Sequence, residues 1–220
     1  REFHPYMNGI RESNLIFLNA WSQGLTGVPF IDACMRALNN HGWINFRMRA
    51  MLMSFASYQL WLPWQESGVC MARKFIDYEP GIHWTQCQMQ SGTTAINSLR
   101  IYNPIKQGYE HDPKGIFIRT WVKELQSLPT TSIHEPWEIN LFHPNQSSFV
   151  LGKHYPYPIV DPISSAKTAR EKLKAIRNKP GFFDHTIKIL ERHGSRKNRK
   201  TNVKEVGQNT CSHNQLTINF

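Results

Sequence analysis

A chain of 220 residues with 40% hydrophobic and 19% charged residues can bury a real core, and this is not the composition of a disordered protein. Its 26 lysines and arginines against 16 acidic residues leave a formal charge of +10. That balance favours a polyanionic partner, nucleic acid before an anionic membrane, unless it only solubilises the surface.

Four cysteines (Cys34, Cys70, Cys87, Cys211) lie far apart, with no C-x-x-C pair and no histidine at zinc-finger spacing. Reduced thiols in a soluble cytoplasmic protein fit that pattern, and neither a disulfide framework nor a metal site is expected. No secretory signal opens the chain, and its most apolar stretch, 50–62, is too short to span a bilayer. A first residue of Arg1, without an initiator methionine, reads as a piece of something longer.

The first helix signal is Thr26-Gly27-Val28-Pro29, with proline preorganised for an opening turn. Ile31, Cys34, Met35 and Leu38 then share one helical face, and Gly42 is a natural terminator. A second helix is expected from about Trp43 to Leu62, apolar nearly all round and therefore buried, with Pro63 stopping it. Arg47 and Arg49 lie two positions apart in it, on different faces. If buried they need an anionic partner, Asp77 and Glu79 being the nearest acids downstream; otherwise they snorkel to solvent.

From Tyr78 to Gly92 neither helical nor strand periodicity holds, and a structured, ligand-binding loop is expected. Residues 116–125 read as helix. Beyond Trp137 prolines mark an extended connector, followed by a helix over 166–177 opened by Ser164-Ser165, and by another capped by Asp184. The fold class is all-α, because period-2 alternation is missing. The expected divisions are a helical domain over 1–165, basic helices over 166–194 and a polar tail over 195–220. Each of the seven tryptophans is first a large core side chain.

Several blocks together resemble the photolyase/cryptochrome family over roughly residues 1–165. They are Trp21-Ser-Gln-Gly24-Leu-Thr26-Gly27-Val-Pro29, Gly42-Trp43-Ile-Asn-Phe-Arg47-Met-Arg49, Arg100-Ile-Tyr-Asn103-Pro104, Gly115-Ile-Phe-Ile118-Arg119-Thr-Trp121 and His134-Glu-Pro-Trp137. The resemblance implies a helical domain holding a folded FAD, blue-light electron transfer and, in photolyases, repair of a flipped-out pyrimidine dimer in DNA. By position it implies that Arg1, Trp43, Phe46, Arg49, Asp77, Glu79 and His83 form the FAD site, with Arg49 and Asp77 as a buried pair and Glu79 as a second acid. His83 stands where other members carry an asparagine facing flavin N5. Arg47, Met89 and Arg100 match residues that meet DNA, and Trp64 keeps the middle position of the electron relay. A monomer is expected.

Three positions depart from that pattern. Phe46 occupies the place of an asparagine or a catalytic histidine of the lesion pocket, and it can neither hydrogen-bond nor donate a proton. Met89 replaces a tryptophan that packs on the dimer. Cys87 replaces the flavin-proximal tryptophan of the relay, for which Trp84 is the substitute expected from sequence. The alternatives are a light receptor without repair activity and a flavin-free remnant. G-x-G-x-x-G, G-x-x-x-x-G-K-[S/T] and H-E-x-x-H are all missing, which excludes a dinucleotide fold, a P-loop and a zincin.

Overall fold

In the computed structural model, residues 4–94, 96, 99–139 and 149–193 are described. Arg1 and the expected tail over 195–220 lie outside them. The described residues are helical, with no strand among them beyond a single Leu151–Tyr155 bridge. No helix among them is long and apolar enough to cross a membrane.

Helix α1 (Leu15–Gln23) is a helix the sequence pattern does not announce. Its N-cap is Asn14, whose Oδ1 accepts from Phe17 N–H at 3.0 Å, and Gly24 closes it at φ 68°. Leu15 and Ile16 face solvent and only Trp21 is buried, so no apolar stripe marks it. Helix α2 (Pro29–His41) runs as expected, from Pro29 at its first turn to Gly42 at φ 68°. It is the central element: α1, α3 (Phe46–Ser54), α6 (Pro104–His111) and α7 (Ile116–Trp121) all pack on it. Residues 116–125 are thus not one helix, because Val122 breaks it and a 3₁₀ turn over Lys123–Leu125 follows.

A buried carboxylate fixes the N-terminus of α2 to the later connector. Asp32 is fully buried and accepts from Thr26 N–H at 2.8 Å, Thr26 Oγ1 at 2.6 Å, Gly27 N–H at 3.0 Å and the Tyr155 hydroxyl. Burial pushes its pKa up to about 6, against the pull of those donors. One turn further along the same flank of this helix, Arg36 clasps Glu124 at 2.8 Å and donates to Gly24 O at 2.9 Å.

The long helix expected over 43–62 is split. Helix α3 starts only after Asn45, whose side chain caps it, and at Phe55–Gln59 it widens into a π-turn. Arg11, itself buried, donates to the carbonyls of Ser57 at 2.8 Å and Ser91 at 2.7 Å, tying this wide turn to the end of the following helix pair. Trp61 sits at φ 54° just before Pro63 and helix α4 (Trp64–Ala72).

The segment expected as a loop over 78–92 is instead helix α5 (Pro80–Gln90). Pro80 stands at its first position, and Glu79 caps it by accepting from Gly81 N–H at 3.1 Å and Ile82 N–H at 2.6 Å. The apolar period is invisible in sequence because polar Gln88 and Gln90 are among the side chains it buries. Helices α8 (Pro162–Arg177) and α9 (Phe182–His193) complete the described chain. Asp161, not Ser164 or Ser165, caps α8, and Asp184 lies within the first turn of α9 instead of before it. A second, smaller core joins these helices to the rest through Met7, Tyr58, Ala169, Leu173 and Phe182.

Candidate functional site

Helices α3 and α5 diverge around a cavity of about 320 Å³, within the usual range of small-molecule sites of about 300–1,000 Å³. Of the residues expected at the cofactor, Trp43, Phe46, Arg49, Asp77, Glu79 and His83 all line it. Helix spacing explains the convergence: Phe46, Arg49, Ala50 and Met53 share the α3 face, and Ile82, His83, Gln86 and Gln90 the α5 face.

Arg49 donates through Nε to Ile44 O at 2.8 Å and through Nη2 to both Asp77 oxygens, at 2.8 and 3.1 Å. Its guanidinium lies 4.2 Å from the centre of the Phe75 ring. The hydrogen bond from Arg49 holds the Asp77 carboxyl below the usual aspartate range. This pair is not deeply buried, its side chains being 25% and 45% exposed. Arg47 takes the snorkelling alternative and is exposed. Glu79 is committed as the helix cap of α5, so its carboxylate is already engaged.

His83 Nε2 lies 2.9 Å from Gly68 O and 3.5 Å from Cys87 Sγ. The carbonyl accepts only, so Nε2 carries the proton and a neutral ring keeps Nδ1 as an acceptor. Burial lowers the His83 pKa, with the Arg49 charge acting the same way, which keeps the ring neutral near pH 7. Burial pushes the Cys87 thiol up to about 12, so it is not a thiolate.

Beside them Trp84 packs edge-on against Trp64, the ring centres 6.1 Å apart. A Cβ on Gly68 would come within 2.8 Å of the Trp84 ring, so glycine there is what lets α5 approach α4. Trp84 Nε1–H donates to the Tyr78 hydroxyl at 2.9 Å. Trp64 is 3% exposed.

Met89 is partly buried near the end of α5, and Arg100 is exposed on the segment leading to α6. Sequence reasoning missed Phe75, Ile82 and Gln86 in the cavity wall. Gln86 Oε1 is buried without a hydrogen-bond partner among the described residues, an acceptor that a ligand N–H would satisfy. Nothing in the sequence distinguishes Gln86 from Gln88 and Gln90 on the same helix. No cluster of three or more metal-ligating side chains occurs among the described residues.

The model of the FAD binding domain of DNA photolyase matches residues 1–175. The chain belongs to that family. It is 37% identical over 169 residues to the deoxyribodipyrimidine photo-lyase of Alkalihalophilus pseudofirmus, a match covering 74% of this chain and 35% of that protein. It is 40% identical over 160 residues to Cryptochrome-2 of Arabidopsis thaliana, covering 71% and 26%. Among solved structures, a bacterial class III photolyase from Agrobacterium tumefaciens superposes with a TM-score of 0.75 at 30% identity, over 81% of this chain and 38% of that one. The chain thus spans about a third of the length of the curated relatives it matches.

FAD is the cofactor of the family. The residues present fit a flavin ring: a largely apolar cavity between two helices, a guanidinium–carboxylate pair at one wall, and the orphaned Gln86 acceptor.

Proposed function

We propose that this chain is the flavin-ring-binding part of a photolyase-type protein that uses blue light to reverse pyrimidine dimers in DNA, working as a cytoplasmic monomer. The observation that supports this reading most is that Arg49–Asp77 and His83 meet at one cavity, with the Trp84–Trp64 pair directly behind His83, whose ring centre is 5.0 Å from that of Trp84. Bound FAD supplies a light-absorbing ring that exchanges single electrons. In this reading Arg49 orients the ring and holds Asp77 ionised, and Gln86 offers its free acceptor. His83 presents a neutral imidazole, which accepts a hydrogen bond better than it donates one. Trp84, with Trp64 behind it, would relay to a bound flavin an electron drawn in the end from an external reductant, so that Trp84 replaces the ring missing at Cys87. Arg1, if placed as the family resemblance implies, would add a further cofactor contact. Arg47 and Arg100 neutralise phosphates of the damaged strand, and Met89 packs near the lesion.

Phe46 favours a second reading, a cryptochrome-like light receptor without repair. It stands at the cavity mouth, 58% exposed, and offers a lesion no hydrogen bond.

The deciding experiment uses the intact flavoprotein, with flavin reduced, on an oligonucleotide carrying one cyclobutane dimer. Loss of the dimer under blue light but not in darkness supports repair and shows Phe46 and Met89 to be tolerated. An intact dimer with a normal flavin spectrum supports the receptor.

A further inference from the structure

Helix α8 carries its basic residues in a pattern that the FAD site does not use. Ala166, Ala169 and Leu173 are the buried positions that seat it. Lys167, Arg170, Lys174 and Arg177 then follow at i, i+3, i+7 and i+10, one stripe along a single flank. The first three are exposed and Arg177 is half-buried. Ten residues of helix rise about 15 Å, close to four base steps of one DNA strand at about 3.4 Å each. Lys172 lies off this stripe, with its ammonium 4.7 Å from the centre of the Trp61 ring.

The flank has a definite neighbour. Leu99 and Ile101, on either side of exposed Arg100, pack against the small core that contains Ala169 and Leu173. Arg177 is near enough to Tyr58 for its charge to act on the phenol. Tyr58 and Leu99 in turn close on the same point over Gly92, where an added Cβ would meet both. The stripe therefore borders the segment that carries Arg100.

We infer that the Lys167–Arg170–Lys174–Arg177 flank of α8 is a second DNA-backbone contact, extending the phosphate track that begins at Arg100. The inference rests on the reading of Arg47 and Arg100 as DNA residues. Its ligand is the sugar-phosphate backbone of duplex DNA, read without regard to sequence or damage, because lysine and arginine heads along one helix line meet phosphate charge and no base edge. Glu171 is the one acid in this helix and makes no ion pair among the described residues. It sets a limit on the affinity of the flank that can be removed.

The test is dark binding of an undamaged, fluorescently labelled duplex to the intact protein, by anisotropy across a series of salt concentrations. K167Q/R170Q/K174Q keeps good helix formers at exposed positions and leaves Arg177 in place; far-ultraviolet circular dichroism checks that it folds. The slope of log affinity against log salt should shrink by about 0.9 for each phosphate no longer neutralised, up to about 2.7 for all three. E171Q should tighten binding at low salt, and this substitution leaves the packing of the helix as it is. An unchanged slope for the triple variant, while R47Q/R100Q lowers it, overturns the α8 contact and leaves the DNA reading standing. Unchanged slopes for both variants overturn the DNA reading as well. Capture by phosphatidylserine vesicles that the triple variant abolishes, with duplex binding untouched, assigns the flank to a membrane and overturns the inference.

Discussion

Trp84 and Trp64 meet at 71° with ring centres 6.1 Å apart, on two helices whose close approach depends on Gly68. Cys87, three residues beyond Trp84 on the same helix, has no ring to offer. Trp84 does not line the cavity itself; its ring centre lies 5.0 Å from that of His83, which does, and buried Trp64 stands behind it.

If these two rings carry the current, W84F and W64F should each slow blue-light photoreduction of bound flavin by at least about tenfold, about 1.4 kcal/mol of barrier. Absorbance of the oxidised flavin under steady illumination measures it. C87A should leave the rate near that of the wild type, and a large loss there would move the relay away from Trp84.

Arg49 and Asp77 should matter more to the ligand than to the fold. Half-exposed pairs contribute about 0–1 kcal/mol to stability, and this one is 25% and 45% exposed. R49A should therefore move the melting temperature of the apoprotein little while weakening FAD binding about 10- to 100-fold, about 1.4–2.8 kcal/mol. Quenching of flavin fluorescence on titration reads the affinity. Because Arg49 lowers the Asp77 pKa, the wild-type affinity should stay flat between pH 5 and 8 as far as this carboxylate is concerned.

Removing Asp32 leaves four buried donors around an empty place. D32A should destabilise the fold by about 3 kcal/mol, within the range for stranded buried polar groups. D32N, which keeps one acceptor oxygen, should fall between D32A and wild type in urea denaturation.

Acid should loosen the protein, and Asp32 should resist it. His4, His83 and His134 all have pKa values lowered below 6.5, each chiefly by burial. Their unfolded forms bind protons first, so stability is present above pH 6.5 and is lost as pH falls below it. Asp32 acts with the opposite sign. Its folded pKa is near 6 against 3.8, so its own contribution grows as pH falls from 6 toward 3.8. The fall in stability between pH 6.5 and 4.5 should accordingly be steeper in D32N than in wild type, and an identical slope would remove Asp32 from this balance.

The H83N substitution should change which flavin redox state is favoured. A neutral His83 with Nε2–H on Gly68 O offers only an acceptor to the cavity, whereas an asparagine amide also brings a donor. A shift of about 30 mV or more in the bound-flavin potential, a tenfold change for a two-electron couple, is expected by spectroelectrochemistry.

The parts legible in sequence are those governed by local rules. Pro29 and Gly42 bracket α2 as their backbone preferences require, and a charged arginine in an apolar helix demands an acid, which is Asp77. Helix α1 is hidden because Leu15 and Ile16 point to solvent, and α5 because Gln88 and Gln90 point inward. In both, tertiary packing overrides the apolar period on which reading a helix depends. Glu79 reads as a pocket acid in sequence, yet the capping demand of the following helix claims its oxygens. Gln86 gives no sign at all, since an unsatisfied amide exists only once its neighbours are in place.

The wide turn at Phe55–Gln59 sets the register between α3, one wall of the cavity, and the chain that goes on to build the other wall. Leu60 N–H reaches back to Phe55 O at 3.1 Å, five residues instead of four, and Gln59 and Ser54 both hold the segment at 100–102. Each residue of helix turns the chain by about 100°, so one residue fewer would leave the cavity face of α3 where it is and put Trp61 and the chain after it out of register with that face. Helix α4 would then lose its place against α3, and with it α5, which packs on α4 at Gly68 and carries His83 and Gln86 of the cavity wall. A one-residue deletion at this turn should thus strike the chromophore's seat and its wiring together, and its signature is flavin loading and photoreduction lost in step.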